Sequence, residues 1–234
     1  MGLPALIPGK FTVVITVFGR EHLLAPALQS LVWQTYRPIE ILIYSDGPAK
    51  DVLGTVASFD NAFASRGIST SYTERPFSGF YGNALRGLGV EQATGEYIYF
   101  LSHDCLLHPH ALATHAAMQA GGPCVSVTGL DFWSPRLVAT GKPGSAEYYD
   151  YITSPTLVSP LYYIQLPLRD NAGLAVVKPG DIDAHCCAYP TQILREIPNY
   201  EYFKNIHGAD YSTFIAARAV LPIRTNLQRL AAHF

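Results

Sequence analysis

The chain has 234 residues, 49% of them hydrophobic and 15% charged, with 16 Lys plus Arg against 18 Asp plus Glu. That composition excludes a disordered chain, and the near-neutral charge argues against the broad basic footprint that nucleic acid requires. The length suits one domain with a sizeable core.

The predicted elements alternate through the first half. "FTVVITVF" (11–18) is β-branched and continuous, as a strand buried on both faces should be. "EHLLAPALQSLVWQ" (21–34) puts Leu23, Leu24, Ala27, Leu28, Leu31 and Val32 on one helical stripe, with Pro26 required near the first turn. "IEILIYSD" (39–46) is a second strand, 48–65 a weaker helix and "ISTSYT" (68–73) a third strand. The spacing predicts a helix over 79–93 despite four glycines, a strand over 96–101 and a helix over 108–120 with Pro109 at its start. This rhythm implies right-handed βαβ units and a mostly parallel, twisted, Rossmann-like sheet with helices on both faces.

The second half is less regular. A strand is predicted at 124–133, a long flap at 134–172, a short strand at 173–178 and helices at 190–197 and 208–220. The tail, 221–234, reads as amphipathic and packed on the body. In "DIDAHCCAYP" (181–190), Asp181, Asp183 and His185 alternate and would share one face of a strand.

Cys105, Cys124, Cys186 and Cys187 form no C-x-x-C pair, so free thiols in a reducing cytoplasm are expected. "MGLPALIPGK" lacks the pattern of a signal peptide, and no run approaches the roughly 18 apolar residues of a membrane span. His103, Cys105, His108, His110 and His115 cluster in sequence, but His110 and His115 are five apart and share no helix face, which argues against zinc.

Open parallel sheets bind ligands beyond the carboxyl ends of their strands. Those ends are Thr16 to Gly19, Ser45 to Gly47 and Ser102 to Asp104. An aromatic side chain there can stack on a base, an Asp can accept from a base or ribose, and a further Asp can hold a divalent cation against phosphates. No G-x-G-x-x-G or G-x-x-x-x-G-K-[ST] is present.

The pieces "TVFG", "LQSLVWQT" and "SDGP", followed by "YGNALRGLGVEQATGEYIYFLSHDCLLHP", resemble the opening of the family 2 glycosyltransferases in order and spacing. The resemblance spans about residues 10–120 and implies a single GT-A fold domain. Residues 10–120 would form the half that binds the nucleotide sugar, and 121–220 the acceptor half. It further implies an inverting transferase that moves a sugar from a nucleotide-diphosphate donor, UDP-linked by preference, to an acceptor hydroxyl with Mn2+ or Mg2+. Thr16, Phe18, Asp46, Arg86, Ser102 and His103 would meet the nucleotide sugar, and Asp104 the metal. "HGADYSTF" resembles the helix that carries the general base, which makes Asp210 that base. Trp133, Asp183 and His185 would face the acceptor.

Four positions depart from the family pattern. Ser102 replaces the first carboxylate of the D-x-D signature, Ser45 the first of the D-D-G-S pair, Gly87 the motif Asn, and Ala209 a Glu beside the base. The alternatives are a non-catalytic GT-A module that binds a nucleotide sugar or a protein partner, and a nucleotidyltransferase, which would need a basic Gly-rich loop after the first strand.

Overall fold

The structure is a computed structural model and describes residues 2–78, 82–132, 162–164, 183–197 and 209–233. The core strand is β1 (Ile7–Val17), in which every residue from Phe11 to Val17 is buried. Successive side chains on a strand point to opposite faces, so unbroken burial means that both faces are covered. It pairs in parallel with β2 (Ile39–Asp46) on one edge and with β4 (Gly95–Ser102) on the other. Beyond β2 lies β3 (Ile68–Arg75), also parallel.

From β1 the chain passes through α1 (Leu24–Val32) to β2, and from β2 through α2 (Val52–Ser58) and α3 (Asp60–Ser65) to β3. It then returns through α4 (Asn83–Gln92) to β4 on the far side of β1. The direction of strand addition therefore reverses between β1 and β4, and such a reversal opens a crevice at the carboxyl ends of those two strands.

Several local features follow from sequence. Pro26 lies in the first turn of α1, after a 3-10 turn at Glu21–Leu23, where a missing N–H costs nothing. The helix expected over 48–65 is two helices broken at Phe59. In α4, Gly89 is where the helix touches the sheet: a Cβ there would lie 2.6 Å from the Val14 side chain. The glycine that weakens the helix locally is the one that lets it dock.

Past β4 the order is β8 (Cys187–Pro190), β6 (Val125–Phe132), β9 (Ile223–His233) and β5 (Cys105–Leu107), giving nine strands in one sheet among the described residues. The strand β8 is antiparallel to β4 and to β6, and β7 (Tyr162–Ile164) also pairs with β6. The helices α5 (Ala111–Gln119), α6 (Thr191–Glu196) and α7 (Ala209–Arg218) complete the described elements. Apart from β7, the flap at 134–172 lies outside the described residues, as do the strand expected at 173–178, Trp133 and Asp181.

Three expectations are corrected. The tail is not an amphipathic segment laid on the body. It is a strand, β9 (Ile223–His233), inserted parallel to β6 and antiparallel to β5 (Cys105–Leu107). An interior strand supplies the N–H and C=O partners that β6 and β5 would otherwise lack, which outweighs any helical periodicity. Because Cys105–Leu107 pairs with it, the helix expected from 108 starts at Ala111, one turn later. Asp183 and His185 do not alternate along a strand either. Asp183 caps a 3-10 turn, Ala184–Cys186, and its carboxylate accepts from the His185 N–H at 2.9 Å.

Candidate functional site

The switch point is built by register. Thr16 stands directly beside Ser102 where β1 and β4 end. The Thr16 carbonyl accepts from the backbone N–H of His103 at 3.4 Å and lies 3.2 Å from its Nδ1. A carbonyl only accepts, so Nδ1 carries the hydrogen and Nε2 presents a lone pair. That Nε2 is buried and has no hydrogen-bond partner among the described residues. Burial pushes the His103 pKa down, which keeps the ring neutral.

Asp104 follows in the turn between β4 and β5 and is buried. Helix α5 begins at Ala111 with His110 as its preceding residue, so Asp104 does not cap it. Its carboxylate meets the Arg20 guanidinium and, at 3.3 Å, His233 Nε2. Burial alone would raise its pKa, but the hydrogen bond and charge of His233, with His103 and Arg20, hold it well below the usual carboxylate range.

Ser102, at the position of the absent carboxylate, is hydrogen-bonded to His185 Nε2 at 2.8 Å. His185 Nδ1 in turn meets the Asp183 carboxylate. Serine, imidazole and carboxylate thus stand in line, the first from the end of β4 and the other two from the turn before β8. Burial lowers the His185 pKa, but Asp183 raises it by more, so the net shift is upward. That favours imidazolium, which suits hydrogen-bond donation towards Ser102 better than proton abstraction from it.

Arg86, on α4, and Asp210, in the first turn of α7, form an ion pair with Nη1 2.6 Å from Oδ1. Arg86 also lies over the Phe100 ring at 5.9 Å and 3.3 Å from Asn83 Oδ1. Its guanidinium is buried, so it is not a solvated helix face.

Phe18 is 56% exposed and stacks on Phe77, 60% exposed, with ring centroids 5.0 Å apart. It is therefore not a core residue. Asp46 is buried, and its two carboxylate oxygens accept from the backbone N–H groups of Ser78 at 2.7 Å and Gly82 at 3.3 Å. Here the carboxylate ties the segment after β3 and the start of α4 to β2. The structure thus gathers Thr16, Ser102, His103, Asp104, Asp183 and His185 around one strand end and joins Arg86 to Asp210.

Sequence reasoning missed Arg20, Phe77 and His233. Arg20 and Phe77 sit in loops with no motif, and His233 reaches Asp104 only because the tail is an inserted strand.

The family model for glycosyl transferase family 2 matches residues 12–142, more than half of the chain. The chain belongs to glycosyl transferase family 2.

Within this family, it is 30% identical over 99 residues to the glycosyltransferase GlyA of Streptococcus pneumoniae, a match covering 42% of this chain and 13% of that protein. It is 28% identical over 107 residues to the GalNAc(5)-diNAcBac-PP-undecaprenol beta-1,3-glucosyltransferase of Campylobacter jejuni, covering 45% of this chain and 33% of that one. The chain thus matches only a minor part of these relatives' length.

Among solved structures, S. aureus TarS 1-349 in complex with UDP superposes at a TM-score of 0.69 and 17% identity, over 95% of this chain and 60% of that one. The mannosyltransferase PcManGT from Pyrobaculum calidifontis, in complex with GDP-Man and Mn2+, gives 0.61 at 14% identity, over 99% and 59%. At these identities the likeness shows the fold, and the family 2 chain has the GT-A fold expected of it. Among its described residues no helix is long and apolar enough to cross a membrane.

Proposed function

We propose that the chain transfers a glycosyl group from a nucleoside-diphosphate sugar to an acceptor hydroxyl with inversion. The observation that carries this is the meeting of a neutral His103, an ionised Asp104 and a Ser102–His185–Asp183 line at the β1/β4 switch point of a family 2 chain. UDP in the TarS complex supports a uridine donor, and Mn2+ in the PcManGT complex supports a divalent ion.

The residues present fit such an ion. Asp104 offers a carboxylate held ionised, His233 an adjacent imidazole, and His103 a buried Nε2 lone pair with no partner among the described residues. Asp104 and His233 would hold it, and when bound it supplies positive charge to a leaving diphosphate. Ser102, hydrogen-bonded to His185, donates to a phosphate oxygen where the family pattern has a second carboxylate. Phe18 and Phe77 offer the exposed aromatic surface for the base.

Asp210 acts as the base. Arg86 occupies Oδ1, so Oδ2 takes the proton from the acceptor hydroxyl. The freed oxygen attacks the anomeric carbon on the face opposite the diphosphate, and the bond to the diphosphate breaks with its electron pair on the departing oxygen. One displacement gives inversion. In this scheme Trp133 and the flap at 134–172 remain the proposed acceptor side, while Asp183 and His185 act on the donor side.

A melting screen against nucleoside diphosphates with and without Mn2+ tests the proposal. UDP should raise the Tm only when Mn2+ is present, and Asp104→Asn should remove that increment while the ligand-free variant still unfolds cooperatively. If no nucleoside diphosphate shifts the Tm, the chain has no donor site.

A further inference from the structure

A second set of donors converges beside Asp104. Cys105 Sγ, a ring nitrogen of His185 and a ring nitrogen of His233 all lie within 4.8 Å of one another. The fold brings them together in two ways. Cys105 and His233 are direct partners across the antiparallel β5–β9 pair, so their side chains share a face. His185 enters from the turn before β8, and its ring packs edge-on to that of His233 at 5.7 Å.

Both imidazoles carry a carboxylate. Asp183 meets Nδ1 of His185, and Asp104 Oδ2 lies 3.3 Å from Nε2 of His233. A carboxylate behind an imidazole fixes the ring's tautomer and orientation, which is the usual outer shell of a histidine that ligates a metal.

We propose that Cys105, His185 and His233 form a binding site for a zinc-class divalent ion. One sulfur and two nitrogens suit zinc or cobalt and do not suit magnesium. Tetrahedral bonds to such an ion need donors roughly 3.3–3.8 Å apart, so the cluster closes by side-chain movements of about 1 Å. Binding releases the Cys105 thiol proton and the Nε2 proton of His185 to solvent, and the ion takes the place of the Ser102 hydroxyl at that Nε2. Three protein ligands leave the fourth position to water or a phosphate oxygen, on the side of Ser102, which lies 2.8 Å from His185 Nε2.

Because this set and the Asp104 site share the His233 ring and two dications so close repel each other, a zinc-class ion here competes with Mn2+ there. That competition rests on the donor-site proposal above; the binding site itself does not.

Titration of the full chain with Co2+ reads the site directly, through the near-ultraviolet charge-transfer band of a cobalt thiolate. The band should saturate at one ion per chain and be displaced by Zn2+. It should vanish in Cys105→Ala and persist in Cys124→Ala, and Asp183→Asn should weaken Co2+ binding roughly 10–100-fold. Absence of the band, or its survival in Cys105→Ala, overturns the proposal. If Cys105→Ala does not give a folded protein by melting, His185→Gln decides: a loss of Co2+ affinity of at least tenfold supports the site, and unchanged affinity overturns it. One equivalent of Zn2+ should also cancel the Mn2+-dependent Tm increment with UDP, and an increment untouched by Zn2+ overturns the competition. If UDP with Mn2+ gives no increment, the donor-site proposal fails while the Co2+ result still decides this one.

Discussion

Asp210 and Arg86 show what a single pair contributes. The two residues are 124 positions apart, on helices from opposite halves of the chain, and meet at 2.6 Å. Replacing Asp210 by Asn keeps the size and removes the proposed base. Asp210→Asn should retain the UDP-dependent Tm increment and lose transfer by about 10²–10⁴-fold in kcat, as removal of a general base does. Transfer at the wild-type rate would remove Asp210 from that role.

A second residue-scale effect lies away from the site. His115 is fully buried, 2.9 Å from Ser126 Oγ and edge-on to Tyr99. Burial pushes its pKa down to about 3. The unfolded chain takes up this proton below about pH 6.5 and the folded one only near pH 3, so stability falls as pH drops through that window. One such group contributes a slope of about 1.4 kcal/mol per pH unit, with His103 shifted the same way. Urea unfolding between pH 6.5 and 4.5 should show a shallower slope in His115→Phe than in wild type, and equal slopes would show that His115 titrates normally. Residue types and their positions at strand ends pointed to Asp104, His103 and Ser102. The partners of each are contacts across long sequence separations, which no local pattern encodes.

The elements of the first half were legible because each obeys its own period: continuous β-branched runs for β1 and β2, and a single apolar stripe for α1. The departures lie where two elements share one requirement. Gly89 is unfavourable in a helix taken alone, yet the close approach of α4 to Val14 requires it. Gly89→Ala should therefore destabilise the protein by about 1–3 kcal/mol through overpacking, despite gaining about 1 kcal/mol in helix propensity. In a Val14→Ala background the same change should be neutral or stabilising, and urea unfolding of the four variants measures the coupling. Equal effects in both backgrounds would mean that the glycine is not kept by this contact. The turn at Ala184–Cys186 differs for a related reason: Asp183 finds a backbone N–H two residues on, and that local bond overrides the alternating pattern.

For the whole molecule, the tail is the deciding element. As β9 it joins β5 to β6 and carries His233 to Asp104, so the same strand fills the sheet and contributes to the proposed site. A chain ending before Ile223 should lose cooperative unfolding, because β6 and β5 are left with unpaired backbone groups and Leu230, Ala231 and Ala232 leave the core. His233→Ala should still unfold cooperatively and lose the Mn2+-dependent UDP increment. A truncated chain that melts like wild type would show that β9 is dispensable to the fold.

The sequence by itself determined the βαβ half, the position of the crevice and the family, since period, strand-end position and motif order are all local in the chain. It also marked Asp104 and Asp210, which occupy motif positions. Only the tertiary structure decided that Ser102 stands on a His185–Asp183 line, that Asp210 is bound by Arg86, and that His233 reaches both Asp104 and Cys105. Those pairings join segments far apart in the chain, and the last of them exists only because β9 is inserted beside β5 in one particular register. Register is set by the packing of the whole sheet and not by the residues that it brings together.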